Sequence, residues 1–184
     1  MIRPLRHSLQ LLHIGWVLAL YRRRPAAALQ RLGPTYIKLG QTLSTRPDIV
    51  GAAAAADLAQ LRDALPAFST AQAKKIIAEG LGAPVTQLFA SFQEKPVAAA
   101  SIAQVHLAVT AEGREVAVKV MRPGVREAFR RDLELLRWLA KWAARRPKFR
   151  RLKPVEVVES FAETVVLELD LRFVNPNETA IEVD

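Results

Sequence analysis

Glu115-Val116-Ala117-Val118-Lys119-Val120-Met121 decides the fold of this chain. Its apolar residues alternate, the period of a strand with one buried face. Val116, Val118 and Val120 share that face, while Ala117 and Lys119 point the other way. The turn Thr110-Ala111-Glu112-Gly113 precedes it. Ahead of the turn, Ile102 to Val109 is strand-like through Val105, Leu107 and Val109, and Leu88 to Gln93 is a short aromatic, apolar strand. Three strands with short connections make an antiparallel meander.

Outward from the strands the period becomes helical. Val125, Phe129, Leu133, Leu136 and Ala140 mark one face of a long helix reaching about Arg146, and Val158, Ala162, Val165 and Leu169 mark another between Pro154 and Arg172. Trp138 and Trp142 are expected to sit on a packed helix rather than in an exposed ladder. Toward the N-terminus, helices are expected over Ala26 to Leu32, over Thr35 to Leu43 with Thr35 as cap, over Gly51 to Leu65 with Asp48 as cap, and over Thr70 to Leu81. The chain therefore reads as α+β, with a helical extension over residues 1–84 and a lobe with a short antiparallel sheet over 85–184.

The 184 residues suit one domain with a helical arm, and 51% hydrophobic residues supply a core. Without cysteine there are no disulfides, thiolate nucleophiles or zinc ribbons, and His7, His13 and His106 are too scattered for a metal cluster, so no metal residues are assigned. The net charge of +9 is concentrated: eight Lys/Arg and no acid precede Asp48. Such a field attracts phosphates of lipids, nucleotides or nucleic acids. Leu9 to Tyr21 is too short to span a bilayer, and arginines at 22–24 oppose translocation. Leu5, Leu9, Leu12, Trp16 and Leu20 fall at helical spacing, which fits a helix on an anionic membrane surface or one packed on the protein. A second basic run, Arg145 to Lys153, keeps nucleic acid in view, but no helix-turn-helix spacing or aromatic ladder accompanies it.

Pro96-Val97-Ala98-Ala99-Ala100-Ser101, between the first two strands, is a tight loop of small residues. Backbone N–H groups in such a loop can approach an anion, although alanine stands where glycine is usual and makes the loop stiffer. Lys119, one strand on, could reach a phosphate across the sheet. Each feature has a plain reading, a turn and a solvent-facing lysine; their combination carries more.

That order of loop, strand, turn and Val-Ala-Val-Lys resembles a protein-kinase nucleotide lobe, and the alanine loop narrows the resemblance to the N-terminal part of the UbiB family of atypical kinase-like proteins, linked to ubiquinone synthesis and lipid homeostasis. Lys38-Leu39-Gly40-Gln41 looks like that family's Lys-x-Gly-Gln motif, with Arg46-Pro47-Asp48 as its continuation, and Glu168-Leu169-Asp170 like its Glu-x-Asp motif. Lys38 and Gln41 share a helix face, whereas Glu168 and Asp170 diverge on a helix. The resemblance implies that Lys119 holds the α- and β-phosphates of ATP or ADP, that Ala98, Ala99, Ala100 and Ser101 cover them, and that Lys38 meets Glu168 and Asp170, with Gly40 and Gln41 as motif support. It implies ATPase and self-inhibited phosphoryl transfer, at a cytoplasmic location peripheral to a membrane, with lipid-pathway proteins as partners.

Two departures bear on activity. The glutamate expected to pair with the strand lysine should be residue 174, which is Val174. No catalytic loop or metal-binding Asp-Phe-Gly follows, so Mg²⁺ is expected only for an intact protein. The expectation is a truncated or frame-shifted product without a C-lobe, able to bind nucleotide but not to turn it over, and prone to aggregation or dependent on a partner.

Overall fold

A computed structural model describes residues 3–22, 24–61, 65–169 and 180–183, and of 3–9, 180 and 182 the backbone alone. Its elements are α1 (Arg3–Leu20), α2 (Pro25–Leu32), α3 (Pro34–Ser44), α4 (Pro47–Val50), α5 (Ala52–Leu58), α6 (Thr70–Leu81), α7 (Val85–Leu88), β1 (Phe89–Phe92), β2 (Ala98–Ala99), β3 (Ala103–Thr110), β4 (Glu115–Met121), α8 (Val125–Ala144), α9 (Pro147–Arg150), α10 (Pro154–Leu169) and β5 (Ala180–Val183). The α+β class expected from the sequence holds. The contacts group into two compact units, Met1–Arg62 with Arg126–Val165, and Asp63–Val125 with Val166–Asp184.

The second unit contains the sheet, ordered β1-β3-β4-β5 with β2 also paired to β3. The expected meander is there: β1 and β4 both run antiparallel to β3. Two strands were not anticipated. Ala98 and Ala99 of the small-residue loop pair with Val105 and Gln104, and residues 180–183 add a parallel strand beside β4. Val116, Val118 and Val120 fill the inner face as their alternation required, together with Phe89, Ala108 and Val183. Helix α6 lies on this face and buries Ala73 and Ile77 in the same cluster. It starts and stops where its sequence says. Ser69 accepts from the Gln72 N–H at 3.3 Å, and Gly82 takes the left-handed turn at φ 77° that ends it.

Buried among these apolar residues is a polar chain that hydrophobic patterning does not announce. Gln104 and His106 are both fully buried on the inner face of β3. The Gln93 carbonyl lies 2.9 Å from His106 Nδ1, and since a carbonyl only accepts, Nδ1 carries the proton. Nε2 then accepts from the Gln104 amide at 2.9 Å, and Gln104 Oε1 accepts from the Phe68 N–H at 3.0 Å. Phe92 stacks on the imidazole at 4.9 Å.

In the helical unit, α3 packs against α2 and α5 through Gly40. A Cβ there would collide with Leu61 and stand 2.6 Å from Leu29 Cδ1. The N-terminus of α2 is capped from a distance, with Asp57 Oδ2 accepting from the Ala26 N–H at 2.7 Å. Helices α1, α3 and α8 meet at a polar cluster: Gln10 Nε2 donates to the buried Asp132 at 2.7 Å and lies 3.5 Å from the Tyr36 hydroxyl. Burial first, and then the Asp132 charge, push the Tyr36 phenol up to about 12.

Several local expectations are corrected. Thr35 caps nothing: Pro34 occupies the first turn of α3 after Gly33 at φ 106°, and the Thr35 hydroxyl is buried without a hydrogen-bond partner. Asp48 does not cap the alanine-rich helix, because Arg46 holds its carboxylate at 2.8 and 2.9 Å, and the expected helix over Gly51 to Leu65 is α5, ending at Leu58. Trp138 and Trp142 do sit on a packed helix, α8, which buries Phe129 and Leu135, but they are themselves 49% and 44% exposed.

Candidate functional site

The outer face of the sheet carries the residues singled out for phosphate binding. Directly paired residues of antiparallel strands project to the same side. Ala98 pairs with Val105, and Val105 pairs with Lys119, so the three form one row across β2, β3 and β4. With strands about 4.8 Å apart, the Lys119 Cα stands roughly 10 Å from that of Ala98. Two residues along, Ala117 pairs with Leu107 on the same face. Leu107 is 47% exposed and Val97 52%, while Val105, Ala117 and Lys119 are half-buried. The result is a shallow apolar floor of short side chains bordered by one ammonium group.

The alanine segment is less open than a phosphate cradle requires. The Val97 N–H donates to the Val105 carbonyl at 2.9 Å and the Ala100 N–H to the Ala103 carbonyl at 2.8 Å. Those donors are committed to the hairpin, and Ser101 is 1% exposed. Arg122 fixes the turn, its Nε donating to the Ala100 carbonyl at 2.9 Å and a terminal nitrogen to the Pro66 carbonyl at 2.7 Å, with the guanidinium 5.7 Å from the Phe68 ring centroid. Sequence reasoning missed Arg122; its place directly after a strand ending in Met121 was the available signal. The residue in backbone register with Lys119 on the far side is Glu182 of β5.

Other assigned residues sit elsewhere. Lys38, Gly40 and Gln41 are on α3, in the helical unit. Gln41 Nε2 reaches the Leu61 carbonyl at 3.5 Å, so part of this motif serves the packing that Gly40 permits. Glu168 is half-buried in the last turn of α10, with the sheet unit. Asp170 and Val174 lie outside the described residues. Among the described residues no three His, Asp or Glu side chains converge as a metal site.

Comparison with known proteins places this geometry. The ABC1 atypical kinase-like domain matches residues 60–179. The chain belongs to that family. Within it the relatives are UbiB proteins, in keeping with the motifs. The probable protein kinase UbiB of Cellvibrio japonicus is 44% identical over 146 residues, covering 79% of this chain and 26% of that protein. Those of Vibrio cholerae and Pseudomonas aeruginosa are 48% and 49% identical over 147 and 145 residues, covering 79% and 78% of this chain and 27% of each protein. The chain thus spans about a quarter of the length of the UbiB relatives it matches. The Rv3197–erythromycin complex from Mycobacterium tuberculosis aligns at 35% identity over 72% of this chain and 34% of that one, with a TM-score of 0.46. The kinase-like family makes nucleotide the ligand class to test on the Lys119 face.

Proposed function

We propose that the outer face of the sheet binds ATP or ADP, with the base on the floor of Val105, Leu107 and Ala117 and the phosphates at Lys119. The observation that carries this is the row Ala98–Val105–Lys119, which puts a small residue and a cation on one face with an apolar surface between them. Because the Val97 and Ala100 N–H groups are spent on β3, Lys119 supplies most of the phosphate attraction, and affinity depends on it heavily. Lys38, Glu168 and Asp170 are proposed to meet as the inhibitory contact of the family, and the pathway served to be ubiquinone biosynthesis or membrane-lipid homeostasis. These 184 residues carry no recognisable catalytic-loop or metal-binding motif, so binding without phosphoryl transfer is the reading for the chain alone.

Titration of the chain with ATP and ADP, with and without Mg²⁺, tests it. Saturable binding lost in Lys119→Met supports the assignment; unchanged binding in that variant, or no binding at all, refutes it. ATP turnover that Lys119→Met abolishes would refute the non-catalytic part.

A second reading has its own support, that α1 lies on an anionic membrane surface. Val17 is 2% exposed, whereas Leu12, Trp16 and Leu20 on the same helix are 61–70% exposed. Among the described residues no helix is long and apolar enough to cross a membrane. An apolar flank with arginines beyond its end favours lying in the interface. Salt-sensitive flotation with anionic vesicles that survives deletion of residues 1–24 would refute it.

A further inference from the structure

From Arg137 to Lys153 the chain holds eight cationic side chains and no acidic one. The end of α8, the short α9 and the start of α10 fold this run into a corner of the helical unit. Lys153, the one non-glycine residue with positive φ among the described residues (46°), turns the chain into α10. Two cavities adjoin there and share Arg151. One, about 520 Å³, is lined by Ala144, Arg145, Pro147, Arg150 and Arg151. The other, about 550 Å³, includes Arg46, Lys153 and Ser160. Its two carboxylates are already engaged, Asp48 by Arg46 at 2.8 Å and Glu156 by Lys153 at 2.9 Å. No ion pair with a carboxylate involves Arg145, Arg150 or Arg151 among the described residues, so the first cavity is lined by three arginines and no acidic residue.

Like charges gathered around a concavity repel one another, and an anion entering it relieves that repulsion while gaining several charge-assisted hydrogen bonds. The planar guanidinium fork matches a phosphate's paired oxygens. Beside the cavity stand exposed aromatic rings. Arg146 lies 4.5 Å from the centroid of Trp142, and Phe149 is 38% exposed. Rings of this kind settle at the boundary between apolar and aqueous phases.

We propose that the Arg145–Arg150–Arg151 cavity is a phosphate-binding site, occupied by lipid phosphate headgroups or by a soluble phosphate ester. The site is built from the helical unit alone and does not depend on nucleotide binding at Lys119.

Calorimetric titration with pyrophosphate, together with cosedimentation on phosphatidylcholine vesicles with and without phosphatidylglycerol, tests the site in the full 184-residue chain. Replacing all three arginines with glutamine weakens the anion that binds by at least about tenfold. Arg→Lys at the three positions restores part of the binding, and Arg22→Gln/Arg24→Gln leaves pyrophosphate binding unchanged. Binding only to phosphatidylglycerol vesicles identifies the headgroup as the ligand, and pyrophosphate binding without vesicle binding identifies the soluble ester. Circular dichroism melting checks each fold; should the triple glutamine variant not fold, Arg151→Gln alone is expected to weaken binding several-fold. Failure of the native chain to bind either probe, full binding by the folded glutamine variant, or an arginine-dependent affinity for oligonucleotides alone overturns the proposal.

Discussion

Replacing Gln104 with leucine isolates what the buried polar chain contributes. The side chains are of similar volume, so the apolar core is nearly kept, and what disappears is one acceptor and one donor. The Phe68 N–H loses its partner at 3.0 Å and His106 Nε2 loses its donor at 2.9 Å. Leaving a buried polar group unsatisfied costs about 1–3 kcal/mol, so the two together should cost roughly 2–6 kcal/mol, offset in part by the extra apolar surface of leucine. His106→Leu leaves the Gln104 amide and the Gln93 carbonyl unpaired and should cost a similar amount. The double variant removes both ends of the Gln104–His106 bond, so its loss should fall short of the sum by about 1 kcal/mol. The tryptophans Trp16, Trp138 and Trp142 all lie in the helical unit, so the assay is urea denaturation followed by circular dichroism, with amide hydrogen exchange at β3 and β4 reporting the sheet. A Gln104→Leu variant within about 0.5 kcal/mol of native, or strictly additive losses, would refute the reasoning.

Three further outcomes are expected. The Tyr36 phenol is raised from 10.0 to about 12, so it contributes stability that is complete below pH 10 and lost as pH rises through 12; Tyr36→Phe should flatten that part of the stability profile, measured by urea midpoints across the range. Arg122→Ala releases the Ala100 and Pro66 carbonyls and should cost about 1–3 kcal/mol and speed exchange of the Val97 and Ala100 amides, while Arg122→Lys should fail to restore both because an ammonium lacks the forked geometry. Gly40→Val drives a branched side chain into Leu61 and Leu29 and should lower the stability of the helical unit by about 1–3 kcal/mol by tryptophan-monitored unfolding, more than Gly40→Ala, whose clash is smaller and whose helix propensity is better.

The parts of the fold that were legible are those with a strong period or paired terminal signals. Val116, Val118 and Val120 specified β4 because a half-buried strand must alternate, and Ser69 and Gly82 bounded α6 because each satisfies a backbone need. What was hidden depends on contacts distant in sequence. Nothing near Ala26 shows that Asp57 caps its helix, and nothing in Gln104-Val105-His106 shows that the two polar residues are the buried ones. Thr35 and Asp48 misled because a capping side chain competes with other geometry: Pro34 took the first turn in one case, and Arg46 took the carboxylate in the other. For the site, Lys119 and the alanines were visible in the sequence, but only strand register sets Ala98 and Lys119 in one row. The same hairpin commits the Val97 and Ala100 amides, which composition alone does not reveal. Helix α8 shows the limit of apolar periodicity, since Asp132 is buried in its face while Trp138 and Trp142 are not.

Strand β5 has a consequence for how the molecule is made. It runs beside β4, yet the chain travels through α8, α9 and α10 before supplying it. During synthesis β1 to β4 can assemble as soon as they clear the ribosome, but the outer edge of β4 must wait, with its backbone hydrogen-bonding groups unpaired, until about sixty more residues have emerged. In that interval the strand that carries Lys119 is a ready template for a stray strand from another nascent chain, and the pairing of β5 is what ends the exposure.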